Sequence, residues 1–143
     1  MALIGGGGAG NVAGGANPSG TSNSLVYLGD NKYAGWSGTA TATDGTNAAL
    51  FDFTTQNQAI LAEITYMVND INLDDAKFIG LEVTINGELI GNIVDNSSGA
   101  RALGTLLTPL RIAFPPQSRI IIEGTTNDGN DITVSAVIIG EGV

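Results

Sequence analysis

From residue 25 onward, short apolar and β-branched runs alternate with clusters of Gly, Asn, Asp and Pro. Short runs separated in this way are typical of strands in an all-β sandwich or barrel. No segment combines a helical period with capping residues, so the pattern does not favour helices. The predicted strands lie within residues 25–29, 33–43, 48–55, 59–69, 78–94, 105–114, 118–124 and 131–139.

The strand period assigns faces to two of these runs. Residues 59–69 fit a helix or a strand by apolar content alone, but their β-branched residues favour a strand. Alternate residues from Ile60 to Val68 then share one face of that strand. In the preceding run, the same period places Leu50 and Asp52 on one face and the two phenylalanines on the other.

Glycine and proline set the boundaries of the other runs. Residues 33–43 alternate small residues with threonine and predict either one bent strand or two. Pro109 cannot donate a hydrogen bond to a neighbouring strand, so residues 105–114 predict a strand at a sheet edge. The segment 95–104 predicts a loop, and the Pro-Pro pair at 115–116 predicts a turn.

The strongest local signal is a hairpin within residues 78–94. Alternating apolar residues stop at Asn86-Gly87 and resume after it. Asn-Gly supplies the two positive φ angles of a type I′ turn, whose twist matches the flanking strands. Eight or nine such strands predict that residues 25–143 form one antiparallel two-sheet sandwich with jelly-roll topology. An immunoglobulin-like sandwich is the alternative, but its Cys, Trp, Cys pattern is missing.

Residues 1–24 form a separate, low-complexity segment of Gly, Ala, Asn and Ser, here called the N-terminal arm. Glycine loses much backbone freedom on ordering, at about 1–2 kcal/mol per residue, so one small contact cannot hold such a segment. Many repeated contacts in a symmetric assembly can. We therefore predict an assembly arm in which an apolar triplet anchors and the glycines lie close to other subunits. Its key residues are Ala2, Leu3, Ile4, Gly5, Gly6, Gly7 and Gly8.

The composition limits the classes of binding partner that we expect. Five Lys and Arg against fourteen Asp and Glu give a formal charge of -9, and the five cations are scattered, so no nucleic-acid partner is expected. No apolar run approaches the ~18 residues that cross a bilayer, so no membrane partner is expected either. The charged fraction of 13% is about half the typical ~25%. Such a surface is either covered by neighbouring subunits or built from Thr, Ser and Asn.

The absence of both cysteine and histidine removes disulfides, thiolate metal sites and the most common general base. The stretch Gly5 to Gly10 fits G-x-G-x-x-G, but a dinucleotide site needs a strand before it and a helix after it, and neither is predicted. Neither a cofactor nor a metal is assigned. Catalysis by paired carboxylates would not need histidine. Its candidates, Asp52, Glu63, Glu82 and Glu88, show no spacing that places two of them across a cleft, so we do not expect an enzyme.

One acidic turn resembles a calcium loop in part. Asp70, Asn72 and Asp74 have the first, third and fifth spacing of an EF-hand, but the glycine required at the sixth position is Asp75. It is therefore not an EF-hand. Looser calcium binding here, or around residues 128–131, stays open beside the simpler interpretation of solvated acidic turns.

Tyr33 and Trp36 form a candidate aromatic contact surface. Exposed aromatic rings can stack on the apolar face of a sugar. A single tryptophan in a β-sandwich more often packs in the core or between subunits. The pair therefore supports either a glycan-binding surface or a packing role.

Several stretches together resemble the small β-sandwich or jelly-roll structural proteins of virus particles, such as capsid and capsid-decoration (cement) subunits of bacteriophages. These stretches are the N-terminal arm, "LFDFTT", "TINGELIG" and the closing "PLRIAFPPQSRIIIEGTTNDGNDITVSAVIIG". The resemblance covers most of the chain and lies in the overall pattern of residues rather than in one motif.

The resemblance implies a non-enzymatic virion protein that assembles with copies of itself or with other capsid subunits. The acidic balance favours an outward or inter-subunit location over one that lines a packaged genome. The alternative function is a secreted carbohydrate-binding β-sandwich module.

Overall fold

The computed structural model describes residues 25–68, 79–95, 105–106, 108–126 and 131–143, and every regular element in these ranges is a β-strand. All the strand pairs are antiparallel. The strands are β1 (Val26–Gly29), β2 (Lys32–Trp36), β3 (Ala40–Ala42), β4 (Ala48–Thr54), β5 (Ile60–Val68), β6 (Ile79–Ile85), β7 (Glu88–Asp95), β8 (Thr105–Leu106), β9 (Leu110–Phe114), β10 (Arg119–Thr126) and β11 (Ile132–Gly142).

The strands form two sheets. The larger sheet has seven strands in the order β1-β2-β11-β5-β8, with β3 pairing with β11 and β9 pairing with β5. The smaller sheet has four strands in the order β4-β10-β6-β7. The main strands therefore make two sets of four, β2-β11-β5-β9 and β4-β10-β6-β7, between which the chain passes repeatedly. This is the strand order of a jelly roll, and the predicted all-β sandwich is confirmed.

The core lies between the two sheets. Alternate residues of β5 from Ile60 to Val68 are all buried, which confirms the strand period and excludes a helix there. At one end of the core, the rings of Phe53 and Phe114 meet edge to face with their centroids 5.7 Å apart. The other large buried side chains include Leu25, Phe51, Leu81, Ile120, Ile122, Ile132 and Ile138.

The predicted hairpin is present as β6 and β7. Asn86 and Gly87 have φ angles of 52° and 89°, as a type I′ turn requires. The turn is also tied to β10, because the backbone N–H of Arg119 donates to Asn86 Oδ1 at 2.9 Å and that of Asn86 donates to the Arg119 carbonyl at 2.9 Å. The Asn86 side chain thus fixes both the turn and its neighbour.

A bulge in β4 overturns one predicted face. Phe51 pairs with Ile122, but the next pair joins Ala49 to Glu123, so Leu50 is an extra residue. Both Leu50 and Phe51 are fully buried. The prediction that Leu50 shares the face of Asp52 is therefore wrong, because a bulge breaks the alternation of the strand.

Two predicted strands are each divided. Residues 33–43 form β2 and β3 along the same edge of β11, with Ser37 between them. The Ser37 N–H donates to the Ala136 carbonyl at 2.9 Å, and the Ala136 N–H donates to Ser37 Oγ at 2.8 Å. The single strand predicted over 105–114 is β8 and β9, on either side of Pro109. Of the predicted loop 95–104, Asp95 ends β7 and the remaining residues lie outside the described ranges.

Candidate assembly surface

The outer face of the larger sheet is unusually apolar. An antiparallel sheet that packs one face on a core normally presents polar residues on the other. Here the solvent side carries an apolar patch, which we define as Ala34, Trp36, Leu61, Ala113, Val137 and Ile139. Around this patch, the register of β2, β11, β5 and β9 forms three rows: Lys32, Glu141, Leu61 and Ala113; Ala34, Ile139, Glu63 and Arg111; and Trp36, Val137 and Thr65.

Three large side chains of the apolar patch are exposed. Trp36 and Ile139 are each 64% exposed, and Leu61 is 53% exposed. A groove of about 500 Å³ lies over β11, β5 and β9, with Leu61, Ala113 and Ile139 among its lining residues. Contiguous exposed apolar surface on a folded domain commonly marks an interaction site.

Two ion pairs border the groove, and in each pair the two charges cancel. Lys32 Nζ lies 3.8 Å from Glu141 Oε1, and Arg111 Nε lies 2.8 Å from Glu63 Oε2. Both pairs join residues directly opposite each other on adjacent strands. The groove therefore carries no net charge, although the whole chain carries a formal charge of -9.

The outer face of the smaller sheet carries a second set of charged and polar groups, and its strand β7 also exposes Leu89 and Ile90, at 58% and 53%. Arg119 donates to both oxygens of Asp52, at 2.9 and 2.7 Å, and this hydrogen bonding lowers the pKa of Asp52. Glu82 and Glu123 stand directly opposite each other, and the Asn47 amide lies 3.4 Å from Glu82 Oε2 and 3.5 Å from Glu123 Oε2. The surroundings of Asp52 and Glu123 are thus more polar than the apolar patch.

The two aromatic residues singled out from the sequence do not share a surface. Tyr33 is only 6% exposed and its hydroxyl accepts a hydrogen bond from Gln58 Nε2 at 2.9 Å. Trp36 lies on the opposite, outer face of β2. Residues three apart in a strand point to opposite sides, so Trp36 is exposed on the outer face without Tyr33 beside it.

The candidate carboxylates do not meet across a cleft. Glu63 lies on the outer face of the larger sheet, whereas Asp52 and Glu82 lie on the outer face of the smaller one. Glu88 is exposed at the start of β7. Within the part of the chain that the structure describes, no group of three metal-ligating side chains comes together. Nor does any helix there have the length and apolarity to cross a membrane.

Other predicted features lie outside the described residues. These include the whole N-terminal arm, and with it the residues from Ala2 to Gly8. The acidic turn from Asp70 to Asp75 and most of the segment 128–131 also lie outside them.

Sequence reasoning did not single out Leu61, Ala113 or Ile139. These residues come from three strands far apart in the sequence, and only the register brings them together. The sequence of β11 did contain a signal for this surface. Val137, Ile138 and Ile139 are consecutive apolar residues, so both faces of the strand are apolar there. A run that is apolar on both phases is typical of a strand covered on both faces.

Fold and surface together define the class of this chain, a jelly-roll β-sandwich with an apolar outer sheet face. No protein-family model matches the chain, and no characterised protein matches it in sequence. Among solved structures it is similar to T=1 particles derived from infectious bursal virus, with a TM-score of 0.48 and 12% identity over 84% of this chain and 33% of that one.

It is also similar to the infectious bursal disease virus VP2 subviral particle, with a TM-score of 0.45 and 14% identity over 84% of this chain and 34% of that one. A third similar structure is the T13 particle of the same virus, with a TM-score of 0.44 and 13% identity over 84% of this chain and 32% of that one. The chain spans about a third of the length of these proteins. Its own strand pairing establishes the fold.

Proposed function

We propose that this protein is a structural subunit of a virus particle that assembles through the outer face of its larger sheet and its N-terminal arm. The observation that carries the proposal is the apolar patch, in which Trp36, Leu61 and Ile139 are 53–64% exposed. Such a surface is costly to leave in water and is stabilised when another protein covers it.

The energy available from the apolar patch indicates how assembly would work. Fully burying a side chain of this size gains about 1.5–3 kcal/mol. Covering the exposed parts of Trp36, Leu61 and Ile139 therefore gains roughly 3–6 kcal/mol in total. Association itself costs about 4–15 kcal/mol, so a single contact of this kind gives a weak pair. Repeated contacts in a closed particle, supplemented by the arm, overcome that cost.

The assignment to a virus particle rests on the fold and on the overall residue pattern of the sequence. Jelly rolls serve in viral capsids and also in lectins and cupins, so the strand order is an argument by analogy. The arm and the closing strands resemble capsid and capsid-decoration subunits of bacteriophages, which is the kind of virion we propose. The described cations Lys32, Arg111 and Arg119 each lie beside a carboxylate, which fits an interface between proteins better than one with a genome.

Carbohydrate binding is the second candidate, because Trp36 is an exposed indole beside a groove. The burial of Tyr33 removes the second ring of the sugar platform. Glycan-array binding by the wild type that is lost in Trp36→Ala would favour this function over assembly.

The direct test is to image and sediment the purified full chain. The proposal expects regular particles, or binding to a capsid lattice, by electron microscopy. A chain lacking residues 1–20 should keep the circular dichroism spectrum of the sandwich and lose the large species. A truncated chain that assembles like the full chain contradicts the role of the arm, and a full chain that stays monomeric with and without capsids contradicts the function.

A further inference from the structure

We infer that the groove over β11, β5 and β9 binds the apolar triplet Ala2-Leu3-Ile4 from the N-terminal arm of a second copy. The inference rests on the proposed function and specifies the contact between subunits. It joins the exposed apolar groove of the larger sheet to the apolar segment that precedes the glycine run.

The chemistry of the two partners matches. The floor of the groove includes the apolar side chains of Leu61, Ala113 and Ile139, and its four charged residues are paired with one another. Residues 1–24 contain no Asp, Glu, Lys or Arg. An apolar segment without charged side chains can therefore enter the groove without its side chains separating either ion pair. A charged segment would have to compete with both pairs for its own counter-charge.

Glycine suits the approach to the groove. The anchor is followed by Gly5-Gly6-Gly7-Gly8. Without Cβ atoms, these residues allow the backbone to lie against a sheet surface where a side chain would collide. The apolar triplet thus makes the contact in the groove, and the glycines allow the backbone before β1 to lie close to the sheet surface.

The length of the arm allows a second copy to supply the anchor, as the proposed assembly requires. Val26 of β1 stands in line with Ala34, Ile139 and Glu63, so the arm leaves the sheet about three strand spacings, or roughly 15 Å, from its own groove. The twenty residues between Ile4 and Leu25 can extend over about 65–70 Å. A domain of this size is roughly 35 Å across. The arm is thus long enough to pass its own domain and reach a neighbour.

The lack of cysteine makes a disulfide test direct. Leu3→Cys in one preparation is mixed with Ala113→Cys in another and oxidised under assembly conditions. The matched control replaces Ala113→Cys with Ala49→Cys, an exposed alanine on the outer face of the smaller sheet. Docking raises the local thiol concentration to about the millimolar range, so we expect a roughly tenfold higher yield of the 3–113 cross-link than of the 3–49 cross-link.

Two results overturn the inference. Equal yields at positions 113 and 49 would show that the arm does not select the groove. In the double variant Leu3→Cys/Ala113→Cys, a disulfide within one chain whose yield is unchanged by dilution with wild-type chains would place the anchor on its own domain. If particles still form in either case, the proposed function stands and only the inference fails. If no species larger than the monomer forms, the proposed function fails as well.

Discussion

The buried hydroxyl of Tyr66 offers a sharp test of how the core is stabilised. Tyr66 is fully buried between the sheets, and its hydroxyl has no hydrogen-bond partner among the described residues. Burial also raises the pKa of this hydroxyl above its ordinary value, which favours the neutral form. We expect Tyr66→Phe to stabilise the protein, because it removes a desolvated polar group and keeps the packed ring.

The magnitude follows from the cost of an unpaired group. A buried hydroxyl without a partner costs about 1–3 kcal/mol. Tyr66→Phe should therefore raise the free energy of unfolding by about 1 kcal/mol or more, which corresponds to a rise in Tm of roughly 2–5 °C at this chain length. The matched control is Tyr33→Phe, which removes a hydroxyl bonded to Gln58 at 2.9 Å. That change should destabilise by about 0.5–1.5 kcal/mol.

Urea denaturation followed by circular dichroism measures the stability of both variants. Equal m-values would show that the unfolded state is unchanged. If Tyr66→Phe is less stable than the wild type, the Tyr66 hydroxyl makes a stabilising hydrogen bond and is not an unpaired buried group. A second variant tests the location of the group. A Cβ at Gly124 would lie 3.0 Å from Tyr66 Oη and 2.9 Å from Val134 Cγ2. Gly124→Ala should therefore cost less when combined with Tyr66→Phe than it does in the wild type.

Three further predictions concern the sheets. Asp52→Asn should lower Tm at pH 7, because it removes the ion pair with Arg119. Arg119 lowers the pKa of Asp52, so the difference in Tm between variant and wild type should shrink as the pH falls below about 3.9, the ordinary pKa of Asp. Thermal melts at several pH values measure this difference. Glu123→Gln should stabilise by about 0.2–1 kcal/mol in denaturant titrations, most at low salt, because it removes the like charge opposite Glu82. Gly140→Ala should destabilise by about 1–3 kcal/mol in the same titrations, because its Cβ would lie 2.7 Å from an isoleucine methyl of β5 and 3.3 Å from a β5 carbonyl oxygen.

The features that the sequence predicted well depend on neighbouring residues. Asn86-Gly87 determines its turn through backbone conformation alone, and β6 and β7 follow from it. The inward phase of β5 follows from simple alternation between Ile60 and Val68. The separation of Tyr33 from Trp36 was not predicted, although the same alternation implies it, since residues three apart in a strand lie on opposite faces.

The features that could not be predicted from the sequence depend on strands far apart in the chain. Leu50 turns inward because β10 pairs with Phe51 and then with Ala49, which is a property of the register between β4 and β10. The apolar patch likewise exists only once β2, β11, β5 and β9 are aligned. Local periodicity carries no register between strands, so the candidate surface required the fold.

Whether the apolar patch drives assembly can be measured by sedimentation velocity of the full chain with one added charge on either face. Ile139→Lys adds a lysine to the apolar patch, and Ala49→Lys adds the same charge to the outer face of the smaller sheet. We expect wild type and Ala49→Lys to sediment as large species and Ile139→Lys to sediment as a folded monomer, because a charge on the patch opposes its burial. Assembly of Ile139→Lys to the same extent as the wild type would contradict this expectation.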